Sequence, residues 1–344
     1  MKKIGLVLIA MIALAGCSKP TQKSLTLFTW AEMFPQEILE GFEKETGISI
    51  NYVNFDYDET MLTRLEAAGG GDYDLIIADD YIIETAIAGG LVQKLDKSRL
   101  TGYGNINPLY QGPFYDPNDE YTVPYGAGVQ TIVYDPSQVI ISIRGYADLW
   151  DSSLRNRIGI IDNYRVIDGL ALKVLGKSYN TNDLADIQAA GSRLLSLAPN
   201  IRLIRDDNLQ DELISGEIAA AVMYTGQVTM AKLERPDLSI VFPREGIGFG
   251  IMGAFIPSKA PNAEAAYAFL NYIMDPRRGA QCFEFLGYYS TFAASDAYIS
   301  PGLKEFLTLP AGFSTNMEMI QNINPETDEE HERIWTAFKA AAGR

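Results

Sequence analysis

Residues 73–90 read YDLIIADDYIIETAIAGG. Leu75 to Ala78 form a short unbroken apolar run, as in a strand buried on both faces, and the apolar positions that follow Asp80 recur with helical spacing until two glycines stop them. A strand passing straight into a helix is half of a βαβ unit, and the flanking sequence supplies the rest. Upstream, SLTLFTW (24–30) and ISINYVNF (48–55) read as strands. PQEILEGFEKETG (35–47) and DETMLTRLEAA (58–68) read as helices: Pro35 suits a first helical turn, Ile38, Leu39 and Phe42 share one face, and Gly47 suits the C-cap. The βαβαβα order predicts an α/β fold with a mainly parallel sheet and helices on both faces.

Downstream of a loop-rich stretch, YDPNDEYTVPYG (115–126), the alternation resumes. RIGIID (157–162), IRLIR (201–205), IAAAVMY (218–224) and LSIVFP (238–243) read as strands, with helices at 166–176, 186–198 and 209–217. This length suits two domains, and no low-complexity linker separates them. The glycine-rich strands TVPYGAGVQTIVYD (122–135) and GIGFGIMGAFIP (246–257) are the candidate crossings, since small residues let backbones approach and twist.

The chain opens MKKIGLVLIAMIALAGC, an export signal whose apolar run is too short for a membrane span. Leu14-Ala15-Gly16-Cys17 resembles a bacterial lipobox, which implies removal of residues 1–16 and a lipid on Cys17. The other cysteine, Cys282, lies in the helix-like run AYAFLNYIMDPRRGAQCFEFLG (266–287) and is expected in the core, so no internal disulfide is expected. Loss of Lys2 and Lys3 with the signal leaves 26 of the 28 basic residues against 44 acidic, a net of −18. That balance argues against nucleic acid as a partner; solubility alone accounts for it, and it would also favour the approach of a cationic ligand. The single histidine, His331, argues against zinc sites and His-based triads, and no metal or cofactor is expected.

Catalytic motifs fail on inspection. ALKVLGKS (171–178) has Ala171 where a phosphate loop needs glycine, YDPNDEY (115–121) lacks the spacing of a calcium hand, and no GxSxG or SxxK occurs. What recurs is an aromatic beside a carboxylate at the end of a strand. Trp30 and Glu32 follow the first strand; Asp79, Asp80 and Tyr81 follow YDLIIA; Asp162 and Asn163 follow RIGII; Tyr224 closes IAAAVMY. In an open parallel sheet the ligand crevice lies outside the carboxyl ends of the strands, and rings with carboxylates suit an organic ammonium.

Taken in order, FTWAEMFPQEILEGFEKETGI, YDLIIADDYIIETAIAGGLVQKLDKSRL, VPYGAGVQTIVYD, ADLWDSSLRNRIGIID, SGEIAAAVMYTG, EGIGFGIMGAFIP, AAYAFLNYIMDP and FLGYYS resemble the landmarks of the spermidine/putrescine-binding proteins of bacterial polyamine importers. The resemblance implies a two-lobed periplasmic-binding-protein fold with the ligand cleft between lobes. The lobes are then expected at 24–129 plus 254–300 and at 130–253 plus 301–344. It implies a monomer in the periplasm or at the cell exterior, working with an ABC permease and ATPase, and it carries no catalytic role. It also implies ligand contacts at Trp30, Glu32, Tyr81, Tyr224 and Tyr288.

Other positions depart from the family. Met252 stands where an amine-gripping acid is usual, Gly250 where a Trp is usual, and Asn163 and Val166 where a pair of acids is usual, with Asp162 beside them. Asp79 and Asp80 replace small hydroxyl residues. The site expected from the sequence is therefore Trp30, Glu32, Asp79, Asp80, Tyr81, Asp162, Asn163, Tyr224, Met252 and Tyr288, holding a small polyamine. The alternatives are a ligand with one cation and one polar end, which Met252 and Gly250 favour, or a surface sensor or adhesin on the same fold.

Overall fold

The computed structural model describes residues 23–307 and 316–343. The signal segment and Cys17 lie outside the described residues. The first lobe starts with β1 (Ser24–Thr29), α1 (Gln36–Thr46), β2 (Ser49–Asn54), α2 (Asp58–Ala67), β3 (Leu75–Asp79) and α3 (Asp80–Ala88). β2, β1 and β3 pair in parallel, as their alternation with helices requires. Gly47 ends α1 with a left-handed φ of 70°, a conformation open to glycine without strain.

β4 (Thr122–Tyr134) then crosses the molecule. Its first part pairs with β9 and its second with β7, so a single strand is bonded into both lobes. The second lobe holds β5 (Ile158–Ile160), α4 (Tyr164–Val174), α5 (Leu184–Leu195), β6 (Ile201–Ile204), α6 (Leu209–Ser215), β7 (Ala220–Tyr224), α7 (Thr225–Glu234) and β8 (Ser239–Val241). β9 (Ile247–Phe255) returns antiparallel between β4 and β3. α8 (Ala263–Ile273), α9 (Pro276–Leu286) and α10 (Pro301–Leu307) follow. β10 (Met317–Met319) pairs with β9, and α11 (Pro325–Ala342) ends the chain. The strand order β2-β1-β3-β9-β4-β7-β5-β6 thus places parallel blocks at both ends and an antiparallel pair, β9 and β4, at the joint.

Each lobe has its own core. Leu25, Leu27, Phe42, Ile77, Phe269 and Phe283 pack on one face of the first sheet, and Phe28, Ile76, Ile83 and Phe255 on the other. Ile132, Ile160, Leu170, Leu194 and Val222 fill the second, joined by Ile334, Trp335 and Phe338 of α11. The run 266–287, read as one helix, is two. Pro276 cannot continue α8, and Asp275 caps α9 by accepting from Arg277 and Arg278 N–H. Cys282 is a free, buried core residue. His331 is also buried, its Nδ1 2.9 Å from Asp168 Oδ2.

Candidate functional site

Parallel strands aim their carboxyl ends the same way, so the β3–α3, β5–α4 and β7–α7 junctions meet where β4 and β9 cross. The cavity there has a volume of about 700 Å³, within the range of small-molecule sites, roughly 300–1,000 Å³. Glu59, Asp79, Asp80 and Tyr81 form the first-lobe wall. Asn163, Tyr164, Arg165, Val166 and Tyr224 face them from the second, with Tyr288 between. Gly128, Gln130, Phe249, Gly250 and Met252 make the floor, and Ile320 to Ile323 with Asp328 cover one side.

The adjacent aspartates have different tasks. Asp80 is buried and commits both oxygens: Tyr81 N–H donates to Oδ1 at 2.8 Å and Ile251 N–H to Oδ2 at 3.0 Å. Burial outweighs these bonds and holds its pKa up at about 7. Asp79 leaves its carboxylate uncommitted, accepting no hydrogen bond among the described residues. Its N–H donates to Asp58 Oδ1 at 3.2 Å, so a second buried acid stands directly behind it. Burial pushes both Asp58 and Asp79 well above the usual carboxylate range, helped at Asp58 by the charge of Asp79 and at Asp79 by the charges of Asp80 and Glu59. This wall is therefore a partly desolvated acidic surface with no basic residue paired to it among the described residues, and it favours a cation arriving from outside.

The rings around it are neutral and well placed. Tyr81 OH donates to Glu59 Oε1 at 3.0 Å. Asn163 Nδ2 donates to Tyr224 OH at 3.1 Å, while its Oδ1 accepts from Val166 N–H and caps α4. Tyr288 is pushed up to about 12 by burial and then by the charge of Asp79, and Tyr224 is raised by burial with the same charge contributing. The two tyrosines therefore feel Asp79 across the cavity. Gly128 makes room for Tyr288: a Cβ there would stand 2.7 Å from Tyr288 Cε1. A Cβ on Gly250 would meet only the carboxylate of Asp80, at 3.3 Å from Oδ2. Met252 lies across the ladder from Asp79 and shows that wall a thioether.

Seven residues expected from the sequence line this cavity: Asp79, Asp80, Tyr81, Asn163, Tyr224, Met252 and Tyr288. Trp30, Glu32 and Asp162 do not. Trp30 leans on Phe55, with ring centroids 5.0 Å apart, and its carbonyl accepts from Tyr52 OH. Glu32 is exposed in the following loop at φ 56°. Asp162 corrects the reading most clearly: its carboxylate turns to α11, accepting from Trp335 Nε1 at 3.0 Å and Lys339 Nζ at 3.3 Å. Glu59, Arg165, Gln130 and the 320–323 segment were not singled out from sequence. Asp58 and Glu59 follow β2 and obey the same strand-end rule, so they were within reach of it. Gln130 Oε1 is buried without a hydrogen-bond partner among the described residues and can accept a ligand N–H.

The model of the family described as bacterial extracellular solute-binding protein matches residues 37–310. The spermidine/putrescine-binding periplasmic protein of Salmonella typhimurium is 33% identical over 283 residues, covering 81% of this chain and 80% of the relative. Its namesake from Escherichia coli is 32% identical over 318 residues, 90% of each chain. The solved spermidine/putrescine ABC transporter substrate-binding protein from Streptococcus pneumoniae superposes with a TM-score of 0.87 at 27% identity, covering 93% of this chain and 99% of that one. These relatives are binding proteins rather than enzymes, and they share the two-lobed α/β fold.

Proposed function

Because the chain belongs to the bacterial extracellular solute-binding protein family, we propose that it captures a small polyamine of the putrescine or spermidine type between its lobes and delivers it to an ABC permease and ATPase. The observation that carries this reading is the uncommitted carboxylate of Asp79, backed by Asp58 and faced by Tyr224 and Tyr288. An ammonium at Asp79 gains its charge-assisted hydrogen bonds there, while Tyr81, Tyr224, Tyr288 and Met252 pack the methylenes. Asp80 fixes α3 to β9 and adds negative potential. Asn163 orients Tyr224.

The lobes are proposed to divide near Val129–Gln130 and at the start of β9. Leu303 and Leu307 lie against the first core, so the return to the second lobe comes after Leu307 rather than at residue 301. Anchoring by a lipid on Cys17, as a monomer outside the cytoplasm, belongs to the same proposal; a Cys17→Ser chain that still partitions with membranes contradicts the anchor. Among the described residues no helix is long and apolar enough to cross a membrane.

A thermal-shift screen of residues 18–344 against putrescine, spermidine, spermine, cadaverine, agmatine and the basic amino acids tests the function. At a hundred times its dissociation constant a ligand adds about 2.7 kcal/mol, which is readily seen. Stabilisation by a polyamine is expected, and silence from all of them rejects the polyamine reading. A second reading has one observation in its favour: Arg165 lines the cavity and, among the described residues, has no carboxylate within ion-pair distance. A ligand with one ammonium and one acceptor end suits that arrangement, and preferential stabilisation by a basic amino acid supports it.

Trp30 and Glu32 are proposed to serve only the longer amines, since they stand at the end of β1 outside the cavity lining. Glu32→Gln is expected to weaken spermidine about two- to fivefold, as for an exposed ion pair, and to leave putrescine unchanged. Equal effects on both ligands in calorimetry contradict this placement.

A further inference from the structure

One side of the cavity is closed by a strap, Met319 to Asn324, that joins β10 to α11. Its hydrogen bonds to the second lobe are numerous. Arg165 donates to Gln321 O at 3.1 Å, Asn180 accepts from Gln321 N–H at 2.8 Å and donates to Met319 O at 2.8 Å, and Asn182 accepts from Asn324 N–H at 2.9 Å. Apart from Ile320 N–H, which donates to Phe249 O of β9 at 3.0 Å beside the joint, its hydrogen bonds to the first lobe, among the described residues, come from Asn322. The Nδ2 of that residue donates to Tyr81 O at 3.3 Å and to Glu84 Oε2. Both acceptors are on α3, and that helix carries Asp80 and Tyr81 in its first turn.

The strap is thus bonded mainly to the second lobe and to β9 at the joint, and it touches α3 through one amide, whose Nδ2 donates to both acceptors. Separation of the lobes must break this contact or pull the strap from Arg165, Asn180 and Asn182. The structure assigns Asn322 the role of a closure latch: a positioning residue that holds the strap to α3 when the lobes are together and prolongs the ligand's stay. Because Asn322 is exposed and its donors are taken by α3, its contribution is separate from the Asp79 wall. The inference rests on the reading that the lobes close on their ligand.

Small-angle scattering of ligand-free residues 18–344 tests it without reference to any ligand. Asn322→Ala and Glu84→Ala are each expected to enlarge the radius of gyration. The double variant adds nothing beyond Asn322→Ala, because that change already removes the Glu84 bond, and Glu84→Gln, which keeps an acceptor oxygen, stays close to the parent. Stopped-flow measurement with putrescine is expected to show dissociation about two- to tenfold faster in Asn322→Ala with association unchanged, as for loss of an ordinary hydrogen bond. Scattering from Asn322→Ala and Glu84→Ala indistinguishable from the parent overturns the latch, and so does additivity of the two. A parent chain that binds no polyamine rejects the proposed function alone, since the scattering result still decides the latch.

Discussion

Asp79→Asn is expected to weaken putrescine binding roughly a hundredfold while leaving the fold intact. Removing one partner of a buried charge pair costs about 2–5 kcal/mol, and each 1.4 kcal/mol is tenfold in affinity. The case for Asp79 over its neighbour is geometric. Both oxygens of Asp80 already accept backbone N–H groups, whereas the Asp79 carboxylate accepts none among the described residues. The asparagine keeps the size of the side chain and its backbone bond to Asp58, so the loss falls on the ligand. Calorimetry gives the affinity and circular dichroism the fold. An unchanged affinity in a folded variant removes Asp79 from the site.

Affinity for a diamine is expected to fall about tenfold per pH unit below 7. The acidic wall holds protons near neutral pH, with Asp80 at about 7 and Asp58 and Asp79 also raised, mainly by burial. A bound ammonium stabilises the ionised carboxylates, so the complex holds fewer protons than the free protein and affinity rises with pH until the wall is ionised. Folding stability runs the other way. Between the ordinary carboxyl value of 3.8 and about 7 the folded chain holds more protons at Asp80 than the unfolded chain does. This contribution to stability is therefore full below 3.8 and is lost as pH rises through 7. Calorimetry from pH 5.5 to 8 in buffers of different ionisation enthalpy checks both affinity and proton release. A flat affinity and no proton uptake by the buffer contradict the prediction.

Local order was legible because it is local. The apolar run at Leu75–Ala78, the glycine stop at Gly47 and the helix faces each depend on a few neighbouring residues. The strand-end rule is local in the same way: a parallel strand carries its last residues to one edge, and Asp79, Tyr81 and Tyr224 line the cavity there. The rule identifies residue type and edge but not the direction of a side chain. Asp162 meets the rule and yet turns to Trp335 and Lys339, more than 170 positions away in sequence. Asp58 and Glu59 were hidden because acids at a helix start are expected for the helix itself. The strap around Gln321 and Asn322 has no period to read, and its place depends on contacts with Arg165, Asn180 and α3. Pro276 was a local signal that the apolar spacing on either side obscured.

The register of β4 on β9 sets Gly128 opposite Gly250, two bare backbones at the point where the lobes join. The same atoms are the floor of the cavity and the axle of the molecule. Tyr288 and the carboxylate of Asp80 stand over these two backbones, so the ring and the acid of the proposed site are seated on the joint itself. A side chain added at either glycine would therefore disturb the cavity wall and the joint together.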